Sequence, residues 1–244
     1  MSTLLIRLAG PMQSWGMNAK FDRRDTQRAP TKSGVIGLVA AALGRRRNEG
    51  INDLNVLHFG VRVDREGTLL RDFHTAKSEK SAYVTTRYYL CDAVFLAGLE
   101  GDDALLQSIA DALKSPAFPP FLGRRSCPPE GKLLLGIRYG KALLTALEEE
   151  SWQASDWVQE KMKRASHENQ SSIRLRITAD ATQSNEAVYF TRDVPLSFDQ
   201  THRKFGFRRV KESEAVLPLL AKKENRSPFH ETFTSHDPMQ ELEG

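Results

Sequence analysis

The chain has 244 residues, of which 40% are hydrophobic and 27% are charged, as in a globular protein that can bury a sizeable core. No apolar run is long enough to span a membrane, which excludes an integral helical membrane protein. Cys91 and Cys127 lack CxxC spacing and indicate neither a zinc site nor a disulfide framework. The net charge is +4, and the basic residues cluster apart from the acidic ones, which favours a polyanionic partner, most simply a nucleic acid.

The first predicted element is a mostly buried strand over Thr3–Ala9, which Gly10 and Pro11 end. Arg7 lies inside this apolar segment, and no basic region precedes it. The start of the chain therefore indicates a first strand rather than a signal peptide, and we expect a cytoplasmic protein.

A polar loop over residues 12–30 leads into an apolar helix that Thr31 or Ser33 can cap. Loops of this length inside compact domains are usually functional or disordered. Basic residues followed by the free amide groups of a helix start predict a phosphate-binding segment. Gly34 and Gly37 are poor helix formers, and they indicate either close approach of a ligand to the backbone or tight packing on a sheet.

The middle of the chain alternates between strand and helix patterns. Phe59–Asp64 and Thr68–Thr75 flank a tight turn and predict a β-hairpin. Residues 76–87 are polar and basic and predict an excursion that projects from the domain. Tyr88–Leu99 predicts one strong strand. Asp102–Lys114 predicts an amphipathic helix with acids in its first turn and a lysine in its last.

These elements predict an α+β protein. We expect a ferredoxin-like domain over residues 1–140 with an elaborated hairpin that projects at about residues 76–88. Three alternating segments predict a smaller β-rich C-terminal part over residues 141–221. Residues 222–244 are polar and charged and predict a disordered tail.

Local catalytic motifs are missing from the sequence, which has no P-loop, no GxGxxG and no HExxH. No two histidines are spaced at i,i+4, so we expect no metal and no cofactor. A metal-free ribonuclease stays open, because it needs only a general base, an acid and a cation for the phosphate. Those chemical types occur in or beside the excursion at His74, Lys77, Tyr83, Tyr88 and Tyr89.

RNA binding requires phosphate contacts, stacking on splayed bases and polar contacts to the 2′-hydroxyl. Suitable side chains lie in predicted loops or at the ends of elements, where the backbone can approach a ligand. They are Trp15, Arg28, Lys32, Arg87, Phe121, Arg124 and Arg125. Each has a structural alternative: Trp15 can cover the core edge, Phe121 can fill a core gap, and the arginines can pair with acids.

Five short motifs occur in an order and spacing that resemble CRISPR-associated family five. They are LAGPMQSWG at residues 8–16, PTKSGVIGL at 30–38, RDFHT at 71–75, RYYLCDA at 87–93 and LGRRSCP at 122–128. The resemblance is to the type I-E Cascade branch of this family, within the repeat-associated RNA-binding (RAMP) superfamily. It covers residues 3 to about 140 well and the remainder loosely.

The resemblance implies that the ferredoxin-like domain is RRM-like and that its projecting hairpin is a thumb. It also implies a non-catalytic RNA-binding subunit of the Cascade surveillance complex, which caps the 5′ handle of CRISPR RNA in antiviral defence. The implied partners are the CRISPR RNA, the backbone (CasC-like) subunit and the large (CasA-like) subunit, with target DNA reached indirectly through the complex and no membrane contact. The related type I-C branch itself cuts RNA, which keeps a metal-independent endoribonuclease open. A purely structural assembly protein is the third class.

Carried over by position, the resemblance implies an RNA-binding set from the N-terminal segment, the thumb and the loop after the amphipathic helix. The set is Gln13, Trp15, Arg28, Thr31, Lys32, Ser33, Gly34, His74, Lys77, Arg87, Phe121, Gly123, Arg124, Arg125 and Ser126. The N-terminal members are expected to line the handle groove, with Arg87 at the thumb base. The segment from Phe121 to Arg125 is expected to hold kinked handle nucleotides.

Overall fold

A computed structural model of the chain describes residues 1–16, 23–78, 81–165, 172–182 and 188–219. The strands are β1 (Ser2–Ala9), β2 (Met12–Gln13), β3 (Arg23–Arg24), β4 (His58–Arg65), β5 (Thr68–Lys77), β6 (Ala82–Cys91), β7 (Val94–Gly101), β8 (Leu134–Arg138), β9 (Ser172–Asp180), β10 (Tyr189–Ser197) and β11 (Lys204–Pro218). The helices are α1 (Lys32–Ala42), α2 (Asn52–Asn55), α3 (Asp103–Lys114), α4 (Leu143–Glu149) and α5 (Asp156–Ala165). The predicted tail lies outside the described residues. Within the described ranges, no helix is both long and apolar enough to cross a membrane.

Seven strands form one antiparallel sheet in the order β10-β11-β9-β4-β7-β1-β8. Its part β4-β7-β1-β8, with α1 after β1 and α3 after β7, has the connectivity of a βαββαβ unit. Strands β9 to β11 extend this sheet beyond β4 instead of forming a sheet of their own. The α+β class is therefore confirmed, while the expected division at residue 140 stays a prediction about folding units.

The two faces of β1 contribute to two different cores. Leu4, Ile6 and Leu8 pack with α1 and α3, whereas Leu5 packs with α4 on the opposite face. Side chains alternate between faces along a strand, so both faces of β1 are apolar because both are covered. This explains why the first strand is a nearly continuous apolar run, and its prediction is confirmed.

The predicted hairpin of Phe59–Asp64 with Thr68–Thr75 is wrong. β4 pairs with β7 and β9 in the seven-stranded sheet, whereas β5 pairs with β6 over ten residue pairs, from Thr68 with Cys91 to Lys77 with Ala82. β4 is mostly buried and β5 is mostly exposed, so the two segments belong to different layers. The thumb is therefore the β5–β6 hairpin, and most of the predicted polar excursion is strand.

Two further predictions differ from the structure. The strand predicted over Tyr88–Leu99 is interrupted at Asp92, whose φ of 55° turns the chain from β6 into β7. Helix α5 lies in a segment for which the sequence pattern predicts no element. None of its residues is buried, so no core-facing apolar stripe marks it.

A cluster of four buried charges joins the N-terminal and C-terminal parts of the chain. Arg208 of β11 bonds Asp180 through Nη1 and Asp193 through Nε, both at 2.6 Å. Lys32 Nζ lies 3.2 Å from the other Asp180 oxygen, and no side chain of the cluster is more than 11% exposed. Burial alone would lower the pKa of Arg208, but the hydrogen bonds and charges of Asp193 and Asp180 outweigh burial and raise it.

Replacing Arg208 by alanine is expected to destabilise the fold by about 3 kcal/mol, because it leaves two buried carboxylates without their main cation. Urea unfolding followed by circular dichroism measures the change. Arg203→Ala, an exposed arginine in the turn before β11, is the control and should change stability by less than about 0.5 kcal/mol. Equal stability of both variants would contradict the structural role of the cluster.

Candidate nucleic-acid interface

A second, four-stranded sheet forms the base of the thumb. β5 lies along one edge of β6, while β2 and β3 pair in succession with the other edge. The register sets Arg87 opposite Asp72 on β5 and Arg24 on β3. Directly paired residues share a face, and Tyr89 lies two residues from Arg87 on the same face. One face of the thumb base therefore combines two arginines, a tyrosine and an aspartate.

The loop that follows α3 is locked against this sheet through Ser14. Ser14 donates its amide to Leu122 O at 3.1 Å and its hydroxyl to Tyr88 O at 3.1 Å. Gly123 has φ +82°, and a Cβ at this position would lie 1.7 Å from Ser14 O. Only glycine fits such a backbone conformation and approach. The close contact fixes where the following residue, Arg124, enters the site.

Arg124 lies over the face of Tyr89, with its guanidinium carbon 4.7 Å from the ring centroid. Its Nη2 donates to Arg24 O at 2.7 Å. Its Nη1, like Nε of Arg87, is buried and has no hydrogen-bond partner among the described residues. A buried donor without an acceptor costs roughly 1–3 kcal/mol. Arg87 and Arg124 are both half-buried at the thumb base, and an unpaired guanidinium nitrogen is best satisfied by an anionic acceptor such as a phosphate oxygen.

The opposite face of the thumb base repeats the pairing of arginine with tyrosine. Arg23 lies 5.1 Å from the centroid of the Tyr88 ring and hydrogen-bonds Asp25. The hydrogen bond to Asp25 raises the pKa of the exposed Arg23 guanidinium, which is charged at any physiological pH. Arginines therefore cover both faces of β6 near its junction with the main sheet.

Four predicted site residues, Gln13, Trp15, Thr31 and Lys32, are buried and have internal partners. Gln13 donates to Leu8 O and Ala93 O, at 3.0 and 2.8 Å, and accepts from Trp15 Nε1 at 3.1 Å. Trp15 is 1% exposed and Lys32 is 5% exposed, the latter donating through Nζ to a main-chain oxygen and to Asp180. In this conformation their side chains offer no surface to a ligand.

The start of α1 is satisfied from within the protein. Thr31 caps the helix by accepting from Gly34 N at 3.2 Å, and Ser33 lies 3.3 Å from the Thr31 hydroxyl. Asp193 accepts from Lys32 N at 2.8 Å. A carboxylate thus occupies the anion position that the sequence pattern assigns to RNA phosphate.

Packing also accounts for Gly34 in the first turn of α1. A Cβ at Gly34 would lie 2.7 Å from the Trp15 ring, whereas one at Gly37 would make only an ordinary contact, 3.5 Å from Phe198. Of the two alternatives drawn from the sequence, the geometry supports tight packing for Gly34, and it gives no packing reason for Gly37.

The other predicted residues lie on or near the surface. Arg28, Gly123, Arg125 and Ser126 are exposed, and Phe121 is half-buried in the loop that Ser14 holds. His74 and Lys77 are exposed on β5, farther along the thumb. His74 Nε2 lies 2.8 Å from the Asp72 carboxylate.

Ser14 was missed as a site residue, whereas Arg23 and Arg24 belong to the basic loop of the predicted phosphate-binding segment but were left out of the RNA-binding set. Their contact with β6 depends on a parallel two-residue pairing that no local pattern predicts. No local pattern predicts that Asp193 binds the start of α1, because its partner Lys32 lies 161 residues away in the sequence.

Comparison with known proteins agrees with this architecture. Residues 3–211 match the family model described as CRISPR-associated protein (Cas_Cas5). The chain belongs to the Cas5 family. Among curated Cas5 relatives, it is 37% identical over 159 aligned positions to the CRISPR system Cascade subunit CasD of Escherichia coli (strain K12), covering 55% of this chain and 70% of that protein.

Solved structures give the same assignment. One chain of a CRISPR RNA-guided surveillance complex is 33% identical, with a TM-score of 0.71 and coverage of 91% of this chain and 95% of that chain. A crystallised Cas protein is 40% identical, with a TM-score of 0.65 and coverage of 88% and 95%. The Cas5 assignment therefore extends over most of the chain, beyond the motifs of its first half.

Gly123→Ala is expected to destabilise this Cas5 chain by about 2 kcal/mol or more, because it combines left-handed backbone strain with a clash against Ser14. Gly140→Ala is the matched control, since Gly140 has a similar φ of +67° but no described atom within 4 Å of the place that an added methyl group would take. Thermal unfolding of both variants separates the clash from the strain. Equal losses would show that the contact between Gly123 and Ser14 does not hold the loop.

Proposed function

We propose that this protein is a non-catalytic RNA-binding subunit of a type I-E Cascade complex and that it caps the 5′ handle of CRISPR RNA. The observation that carries the proposal is the pair of guanidinium nitrogens without a hydrogen-bond partner among the described residues, Arg87 Nε and Arg124 Nη1, on the strand and loop that meet at Tyr89. The similarity to a Cascade subunit and to a chain of an RNA-guided surveillance complex supports RNA as the anion.

Handle binding follows from the chemistry of this face. Phosphate oxygens accept from Arg87 and Arg124 in charge-assisted hydrogen bonds. Arg28, Arg125 and Ser126 extend the exposed polar and basic surface, while the half-buried Phe121 is the proposed stacking partner of a splayed base. RNA is then held by fixed charges on a rigid sheet rather than by the amide groups of a helix start.

The buried members of the predicted set have a supporting part in this proposal. Trp15 packs against Gly34 and donates a hydrogen bond to Gln13. Gln13 in turn donates to Leu8 O in β1 and to Ala93 O just before β7. Lys32 and the segment from Thr31 to Gly34 fix α1 through Asp193 and Asp180. These residues shape the floor of the handle site without touching RNA.

The proposed partners follow from the same assignment. We propose contacts with the backbone (CasC-like) and large (CasA-like) subunits, target DNA reached through the assembled complex, and a cytoplasmic location. His74 and Lys77 extend the proposed RNA path along the thumb, where both are exposed. No cofactor or metal is required for this binding function.

Arg87→Ala with Arg124→Ala is expected to weaken binding of 5′-handle RNA. The slope of log K against log salt concentration should become shallower by roughly 1.4, because two phosphate contacts are lost on a single strand. Fluorescence anisotropy of the full chain across a salt titration measures both quantities. The matched control is Arg46→Ala with Arg47→Ala, an exposed pair beyond the far end of α1. Unchanged affinity and slope, or equal losses in both double variants, would contradict the assignment.

A metal-independent endoribonuclease is the second candidate, and one contact favours it. His74 Nε2 lies 2.8 Å from Asp72, and Asp72 is the cross-strand partner of Arg87. A histidine oriented by a carboxylate and placed near a phosphate-binding arginine has the groups that RNA cleavage needs. Both side chains of the pair are more than 40% exposed, which gives little exclusion of water.

Incubation of pure protein with repeat RNA in EDTA distinguishes the two functions. We expect no specific cleavage. Site-specific products that disappear in His74→Ala, with handle binding retained, would instead assign the ribonuclease function to the thumb.

A further inference from the structure

Phe190, Arg192 and Phe207 are exposed on one face of β10 and β11 and have no part in the proposed handle site. Arg208 and Asp193 of these strands are directed toward α1, where they join the buried charge cluster. Phe207 and Arg209 flank Arg208 in β11 and therefore lie on the opposite face of the sheet. We call this surface the Phe–Arg face, and it comprises Phe190, Arg192, Phe205, Phe207 and Arg209.

Aromatic and basic side chains alternate across the two strands of the Phe–Arg face. Phe190 pairs directly with Arg209 in the strand register. Arg192 lies over Phe207, 5.9 Å from its ring centroid, and donates to Phe205 O at 3.3 Å. Phe190 is 67% exposed and Phe207 is 68% exposed, which is unusual for large apolar side chains on a sheet. The result is two open rings with guanidinium groups beside them.

Basic side chains outnumber acidic ones in this part of the chain. Between residues 188 and 212 the acids are Asp193, Asp199 and Glu212. Asp193 is buried against Arg208, and Asp199 accepts from the amide groups of the following turn. Arg192 and residues 202–204 are exposed and basic, so positive charge is in excess here. Such a surface complements a polyanion that carries flat rings.

We propose that the Phe–Arg face binds single-stranded DNA without sequence preference. Bases stack on Phe190 and Phe207, and the neighbouring basic side chains hold the phosphates, which is the general chemistry of sequence-tolerant single-strand binding. The face consists of phenyl rings and donor-only guanidinium groups. No side chain of the face accepts from a ribose 2′-hydroxyl, so nothing in it selects RNA, and we commit to DNA as the occupant. This inference does not rest on the proposed handle function.

The test uses the full chain carrying Arg87→Ala and Arg124→Ala, so that the handle site does not contribute to binding. The probe is labelled oligo(dT) of about 15 nucleotides, a length within the usual range of single-strand binding sites. Adding Phe190→Ala with Phe207→Ala should weaken oligo(dT) binding by about tenfold or more at every salt concentration, with an unchanged salt slope. Adding Arg192→Ala instead should make the slope of log K against log salt concentration shallower by roughly 0.7, because one phosphate contact is lost.

The control is Phe118→Ala, an exposed phenylalanine (45%) outside these strands, which should leave oligo(dT) binding unchanged. Handle-RNA binding by the chain with intact Arg87 and Arg124 should also survive the Phe190 and Phe207 changes. The proposal is overturned if the parent chain does not bind oligo(dT), or if the parent and the phenylalanine double variant bind it equally. Tighter binding of oligo(U) than of oligo(dT) overturns the choice of DNA, and loss of subunit assembly without loss of DNA binding identifies a protein interface instead.

Discussion

The carboxylate of Asp193 at the amino end of α1 is the interaction on which the rest of the molecule depends. It accepts from Lys32 N and is held by Arg208, which also bonds Asp180. A helix start attracts anions because its amide groups are open and its dipole is positive. Here the protein supplies that anion from its own C-terminal strands. The same contact therefore joins the C-terminal strands to α1 and removes the helix start as a free phosphate site.

A ligand site consequently has to be built elsewhere, and the thumb base provides it. The close approach of Gly123 to Ser14 fixes the loop that carries Arg124, and Tyr89 supports the guanidinium. Donors held in place before a ligand arrives lose little conformational freedom on binding. The unsatisfied nitrogens of Arg87 and Arg124 are thus a local cost in the free protein that a phosphate would remove.

The sequence allowed the local elements to be predicted better than their partners. The run from Thr3 to Ala9, the Thr31 cap and the amphipathic pattern of α3 are local signals, and each has its expected structure. Strand pairing is a long-range property, so the predicted hairpin between β4 and β5 was wrong although both segments are strands. Site residues were likewise predictable only where a local motif marked them. Arg87 and Arg124 were recognisable from motifs, whereas Asp193 and the contact of Arg24 depend on neighbours far away in the sequence.

The central claim is that handle RNA lies against the thumb base while Asp193 stays hydrogen-bonded to Lys32 N at the start of α1. Amide hydrogen exchange of the full chain, measured with and without 5′-handle RNA, tests it most directly. Bound RNA should slow exchange in residues 86–91 and 121–127 and leave the amides of Lys32 to Gly34 unchanged. Slowed exchange centred on the first turn of α1, with none in residues 121–127, would contradict the account.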